Sequence, residues 1–335
     1  MNFPFDIVMV PLQIIIFLFT VYFFFIGFFG LWRFKEKKIT TPEKTMAVIV
    51  AAHNEQAVIG QLVHPRFLME MNHHLCKGAK IIQGYLDAKN PYDTWVAGTF
   101  AIAFWVIDHI SHLAKTNLGL SAVLGGTGMC ITTDVLKQYG WRATCLVEDM
   151  EFTMKSLAHG IKTTWAHDAI VYDEKPLTFM QSWNQRKRWA QGQFDVAHRF
   201  IPVMFKEGIK RRDIRILDGC IYLLQPHFLM ISTFFIIASY CQLWFGQFYT
   251  SIYTFMPSEL MTAIMMGQYI LPMIILLKIR AKLKAWFYLL LYPVFIYSWI
   301  PIVFIGFFKR NDHEWSHTKH TRAISYDQLM KNKKK

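Results

Sequence analysis

Residues 145–189 read CLVEDMEFTMKSLAHGIKTTWAHDAIVYDEKPLTFMQSWNQRKRW. Glu148 to His159 has the spacing of a helix, and Thr163 to Tyr172 that of one or two strands. Pro176 to Gln193 is predicted to be a second helix, with proline at its start where the missing N–H costs least. Helix, strand and helix in succession predict a layered α/β domain.

The pattern continues upstream. Met46 to Ala52 (MAVIVAA) is a continuous apolar run that suits a buried parallel strand, and a helix-like stretch reaches Val63. Lys80 to Leu86 and Met129 to Thr132 read as strands, and Asp93 to Lys115 as a long aromatic helix.

Outside this domain the chain is apolar. Ile7 to Trp32 carries no charge over 26 residues, where roughly 20 cross a bilayer. It lacks a basic leader and a cleavage site, so it reads as a retained anchor. Further candidate spans lie near Leu229 to Phe245 and Leu260 to Leu277, and Ala285 to Phe308 is uncharged. The expected division is an anchor (1–34), a domain (35–192), an interfacial amphipathic helix (193–213), membrane helices (214–308) and a basic tail (309–335). On that helix Phe194, Ala197, Ile201, Met204 and Phe205 form an apolar stripe, which either lipid or the domain could cover.

The net charge is +13. The cations cluster at membrane edges, at Arg33 to Lys38, Lys206 to Arg215, Lys278 to Lys284 and from Lys309 onward. This positive-inside pattern favours anionic lipid over nucleic acid as partner. It places the N-terminus outside and the domain in the cytoplasm of a multi-pass plasma-membrane protein. Three more crossings would then leave the basic tail outside. Either the segment broken by Pro293 and Pro301 dips in and returns, or Ile214 to Leu224 adds a membrane-embedded helix. The five cysteines form no C-x-x-C pair and fit a reducing compartment, and His73-His74 reads as a surface pair.

Gln185, Arg188 and Trp189 share a helix face at i, i+3 and i+4. An arginine fork suits a diphosphate, Gln185 adds a neutral hydrogen bond, and a tryptophan face suits a sugar ring. The plainer reading is a basic helix at a membrane surface. Glu148 and Asp149 open a helix, where the dipole alone favours acids. The functional alternative makes Asp149 a general base for inverting transfer. Gly125-Gly126-Thr127-Gly128 is a flexible turn that would let backbone approach a sugar; alone it is an ordinary turn.

Taken together, these motifs resemble the family-2 glycosyltransferases, the group of the cellulose, chitin, hyaluronan and poly-N-acetylglucosamine synthases. The resemblance covers Met46 to Trp189 and the flanking membrane helices. It implies a Rossmann-like nucleotide-sugar domain fused to a helical membrane region, with a probably UDP-linked sugar passed to a polysaccharide or lipid acceptor. Ala52-His53-Asn54-Glu55 resembles the motif that contacts the nucleotide base, so His53, Asn54 and Glu55 are expected to bind donor. Gly126, Thr127 and Gly128 resemble the acceptor-side loop, Glu148-Asp149 the catalytic motif, and Gln185-x-x-Arg188-Trp189 the signature helix. Glu314 to His320 is similar to a C-terminal tail motif of membrane-bound members.

One part of the pattern is missing. The family holds Mg2+ or Mn2+ through D-x-D, yet no Asp occurs from Ile7 to Leu86 and no two Asp are spaced i, i+2. Text that follows D-x-D in the family begins here at His64, with only eight residues between it and Glu55. The expectation is an incomplete domain, lacking strand–helix units after Val63, whose transfer activity is impaired. The alternative is an inactive scaffold or regulatory subunit of a polysaccharide synthase.

Overall fold

The computed structural model describes residues 3–34, 37–49, 66–142, 144–255 and 257–312. His53, Asn54, Glu55, the helix expected before Val63 and the Glu314–His320 motif lie outside them.

The chain begins with α1 (Asp6–Phe29), uniformly apolar and largely exposed along its sides. After α2 (Phe67–Cys76) comes β1 (Ile81–Ala88), in which every residue is buried. Next is α3 (Trp95–Ile107), continuous through a π-helical stretch (Asp108–Leu113) with α4 (Ala114–Asn117). Then follow β2 (Met129–Ile131), α5 (Thr133–Tyr139), α6 (Glu148–Ala158), β3 (Thr163–Asp173) and α7 (Phe179–Arg211).

The strands form one mixed sheet in the order β2-β1-β3, with β1 antiparallel to β2 and parallel to β3. Burial of β1 follows from this central place between two neighbours, with α2 and α3 packed over it. A bulge in β3 lets Gly84 pair with Ala166 and Tyr85 with Ile170.

Three sequence expectations change. Met46–Ile49 belongs to no strand, and Val48 and Ile49 are 63% and 86% exposed. A strand exists only through its partner, and among the described residues none pairs with this run. His73 is buried rather than superficial, its Nδ1 accepting the Ile39 N–H at 3.0 Å. The helix expected from Pro176 starts at Phe179, because Thr178 and Gln181 close a capping box there.

That same helix continues unbroken past residue 192, with Pro202 inside it. Phe194, Ala197 and Met204 do not meet lipid. Ala197 and Met204 are buried against Val147, Leu157 and α8 (Ile214–Leu223), and Phe194 is buried edge-on to His227 and Phe307. Val203, Phe205 and Ile209 are the apolar residues left exposed.

The chain ends in α9 (Gln225–Phe245), a short 3-10 turn (Ile252–Phe255), α10 (Ser258–Lys278), α11 (Leu283–Tyr297) and α12 (Trp299–Phe308). Among the described residues four helical stretches are long and apolar enough to cross a membrane: α1, Trp95–Asn117, α9 and Leu283–Phe308. Trp95–Asn117 is mostly buried within the protein, unlike the other three.

α9 lies antiparallel to α1, with Phe19 stacked on Phe228 near one end and Thr250 bonded to Asp6 at the other. α10 runs parallel to α1: Gly267 meets Phe24, Gly27 meets Leu271, and Lys278 Nζ donates to the Leu31 carbonyl at 3.1 Å. The domain sits at that end, where Asn117 Nδ2 donates to the Trp32 carbonyl. α11 packs on α3, and α12 packs along α7 and also against α9.

A buried polar knot ties the two parts together. Lys115 Nζ on α4 donates to Asp218 Oδ2 on α8 at 2.9 Å, and the Tyr22 hydroxyl on α1 donates to Asp218 Oδ1 at 2.5 Å. Lys115 and Asp218 are each 2% exposed.

Candidate active site

Asp149 is the second residue of α6, so its carboxylate lies among the free N–H groups of a helix start. Met150 N–H donates to Asp149 Oδ1 at 2.7 Å. The Thr153 hydroxyl donates to the Asp149 carbonyl at 2.8 Å and accepts the Leu124 N–H at 3.0 Å. That pair of bonds fixes α6 to the chain entering the glycine turn.

The turn covers the carboxylate. Gly126 (φ +77) approaches so closely that a Cβ there would lie 3.3 Å from Asp149 Oδ2. Gly128 (φ +64) faces Val171, and a Cβ would come within 2.6 Å of Cγ2. Both conformations favour glycine, and the contacts leave no room for a side chain. Thr127 is held through its carbonyl, which accepts from Gln83 Nε2 at 2.9 Å.

From the other side comes α7. Gly192 lets it press on Val147, the residue before α6, where a Cβ would meet Val147 Cγ2 at 2.6 Å. Arg188 stands within electrostatic range of both Glu148 and Asp149. Trp189 is half-buried, edge-on to Phe100 at 5.8 Å and packed with Val147 and Met150. Gln185 precedes Arg188 by one turn on the same face, and its Oε1 is buried with no hydrogen-bond partner among the described residues. The Tyr222 phenol on α8 lies within range of the Asp149 charge.

Burial pushes the Asp149 carboxyl up to about 7, and Glu148 pushes the same way. The helix N–H bonds and Arg188 pull against them. Burial lowers the Arg188 guanidinium, while Glu148 and Asp149 raise it. A carboxyl poised near neutrality beside a cation has the properties of a general base.

Gly126, Glu148, Asp149, Arg188 and Trp189 therefore meet where α6, α7 and the turn converge, with Gln185 on the adjoining helix face. Gln83, Thr153, Gly192 and Tyr222 support them and are absent from the sequence reading. Gln83 alone carried a signal, as the one amide inside an apolar strand.

A divalent cation that bridges a diphosphate wants several hard oxygen ligands. No group of three His, Cys, Asp or Glu side chains comes together among the described residues. This donor set does not fit Mg2+ or Mn2+, and no step below is routed through a metal.

The glycine turn, the helix-opening carboxylate and the Gln185–Trp189 helix thus meet in an α/β domain joined to helices long and apolar enough to cross a membrane. Residues 61–307 match the family described as glycosyl transferase family group 2, and the chain belongs to that family. Over 109 residues it is 31% identical to "Probable glycosyltransferase YdaM" of Bacillus subtilis (strain 168). The match covers 32% of this chain and 25% of that protein, so the chain spans about a quarter of the length of that relative.

Proposed function

We propose that the chain acts on a nucleotide-sugar, UDP-linked, and passes the sugar with inversion to a polysaccharide or lipid acceptor at the cytoplasmic face of the plasma membrane. Asp149 takes the proton from the acceptor hydroxyl as that oxygen bonds to the anomeric carbon. The bond to the diphosphate breaks, and Arg188 and Gln185 meet the charge that develops on the leaving group. Trp189 borders the acceptor. The observation that carries this reading is the meeting of the Asp149 carboxylate with the Gly126 turn on one side and the charge of Arg188 on the other. His53, Asn54 and Glu55 are assigned to the nucleotide on resemblance alone.

The metal-poor donor set supports low turnover, and it also favours a second reading: an inactive scaffold that partners a complete synthase. Sugar transfer and UDP release, followed in membranes containing the chain with Asp149→Asn as control, separate the two. The enzyme reading expects slow transfer that rises with pH through about 7 and is lost in Asp149→Asn. Indifference to Asp149→Asn, with co-purification of a full-length relative, would sink it. Fast, metal-dependent turnover would instead overturn the impairment.

For the membrane part we propose three crossings, α1, α9 and α10, with α11 and α12 lying on the domain at the cytoplasmic face. The support is the contact pattern: Lys278 meets the domain end of α1, and Gln191 Nε2 on α7 donates to the Lys309 carbonyl at 3.0 Å. An outside N-terminus and a cytoplasmic basic tail are then compatible.

A further inference from the structure

We propose that Gln83 is a positioning residue for transfer: from the middle of β1 its amide holds the Gly125–Thr127 turn over Asp149 and so shapes the wall along which an acceptor hydroxyl approaches. This rests on the reading of Asp149 as the base.

Gln83 is 1% exposed, at the centre of the sheet. A buried amide must be satisfied at both ends, and one turn satisfies most of this one. Oε1 accepts the Gly125 N–H at 2.9 Å. Nε2 donates to the Thr127 carbonyl at 2.9 Å and to the Gly84 carbonyl at 2.9 Å. The turn is anchored elsewhere only at its margins. Leu124 is held by Thr153 at one, and the Gly84 N–H donates to the Gly128 carbonyl at 2.8 Å at the other.

Between those margins Gly125, Gly126 and Gly128 offer no side chain for packing. A side chain of equal length without the amide would leave Gly125 N–H and the Thr127 carbonyl without this brace. The height of the turn above Asp149 Oδ2 is small enough that a single added methyl would make tight contact. The other groups facing Asp149 are Glu148, Arg188 and Tyr222.

The test uses the full-length chain in detergent or nanodiscs and compares wild type with Gln83→Met, Gln83→Glu and Gly126→Ala. Hydrogen exchange of the turn is one readout. The other is the titration of Asp149, taken as the pH at which the gap in melting temperature between each background and its Asp149→Asn partner stops widening.

Gln83→Met is expected to speed turn exchange by about tenfold or more. It should also lower the Asp149 midpoint by about one pH unit or more as water reaches the carboxyl. Gly126→Ala, which displaces the turn directly, should lower the midpoint likewise. A merely structural role would depress every melting temperature and leave the midpoint in place. A folded Gln83→Met with wild-type turn protection, or with an unmoved midpoint, overturns the proposal.

If Gln83→Met does not fold, Gln83→Glu carries the same comparison, since it keeps the acceptor for Gly125 and loses the donor to Thr127. Neither readout needs turnover. Failure of Asp149 as base shows in transfer by Asp149→Asn, and failure of the brace shows here.

Discussion

Asp149 is held in an environment that opposes its charge, and that has a thermodynamic signature. Its folded-state value of about 7 stands above the ordinary 3.8. Between these values the folded protein binds the extra proton, so stability falls as pH rises from about 4 to about 7. Asp149→Asn removes the penalty. It should be more stable than wild type at pH 8 by on the order of 1–3 kcal/mol, with the gap closing below pH 4; thermal melts across pH check this. Gly128→Ala is expected to cost stability, about 1–3 kcal/mol for the backbone conformation alone, with a further loss from the Val171 contact. Its melting temperature and residual transfer should fall together. The shared face of Gln185, Arg188 and Trp189 was legible from their spacing, because helix periodicity fixes which side chains lie together. Gln83 and Thr153 were not. Each acts through a backbone atom about thirty or forty positions away, and no local pattern records that.

At the scale of elements, α7 shows where periodicity stops being informative. Phe194, Ala197 and Met204 form a clear apolar stripe, but a stripe states only that something apolar covers it. Here α6 and α8 cover Ala197 and Met204, and residues of α9 and α12 cover Phe194. The Met46 run failed for a related reason: it has the composition of a strand and no partner among the described residues. By contrast β1, β3 and α6 were readable from their own composition and period, although β1 pairs with the distant β3, Ile81 opposite Thr163. α7 also carries Arg186, wholly buried between the signature residues. Its Nη1 donates to the Ser298 hydroxyl at 2.8 Å and to the Phe295 carbonyl at 3.1 Å, where α11 gives way to α12, and its guanidinium stacks over Phe295. Arg186→Ala should destabilise the fold by about 3–5 kcal/mol, combining lost hydrogen bonds with a cavity. Limited proteolysis near residue 298 would report the loosened junction. Protection equal to wild type would count against the role.

For the whole molecule, the order of α1, α9 and α10 and the placement of α11 and α12 on the domain set which loops share a side. Single cysteines at Gln247 and Asn311, placed in a cysteine-free chain, should label from opposite faces of sealed vesicles. Asn311 should behave like a cysteine at Lys44. Labelling of both positions from one face would refute three crossings. The charge pattern points to a cytoplasmic domain and leaves the parity of crossings open. Hydropathy does not distinguish a helix that spans from one that lies against protein, as Trp95–Asn117 demonstrates.

The Lys115–Asp218–Tyr22 knot bears on how such a protein can be dissected. Its three members come from α1, the domain and the first helix after α7, so no cut between Tyr22 and Asp218 keeps them on one piece. Removing residues 1–34 to obtain a soluble fragment would strip Tyr22 from Asp218 and uncover the apolar neighbours of α1, including Ala114 and Leu120. Expression of the isolated domain should therefore give aggregate, whereas co-expression of the detached anchor should rescue it. The anchor is better regarded as a wall of the catalytic half than as a tether to the bilayer.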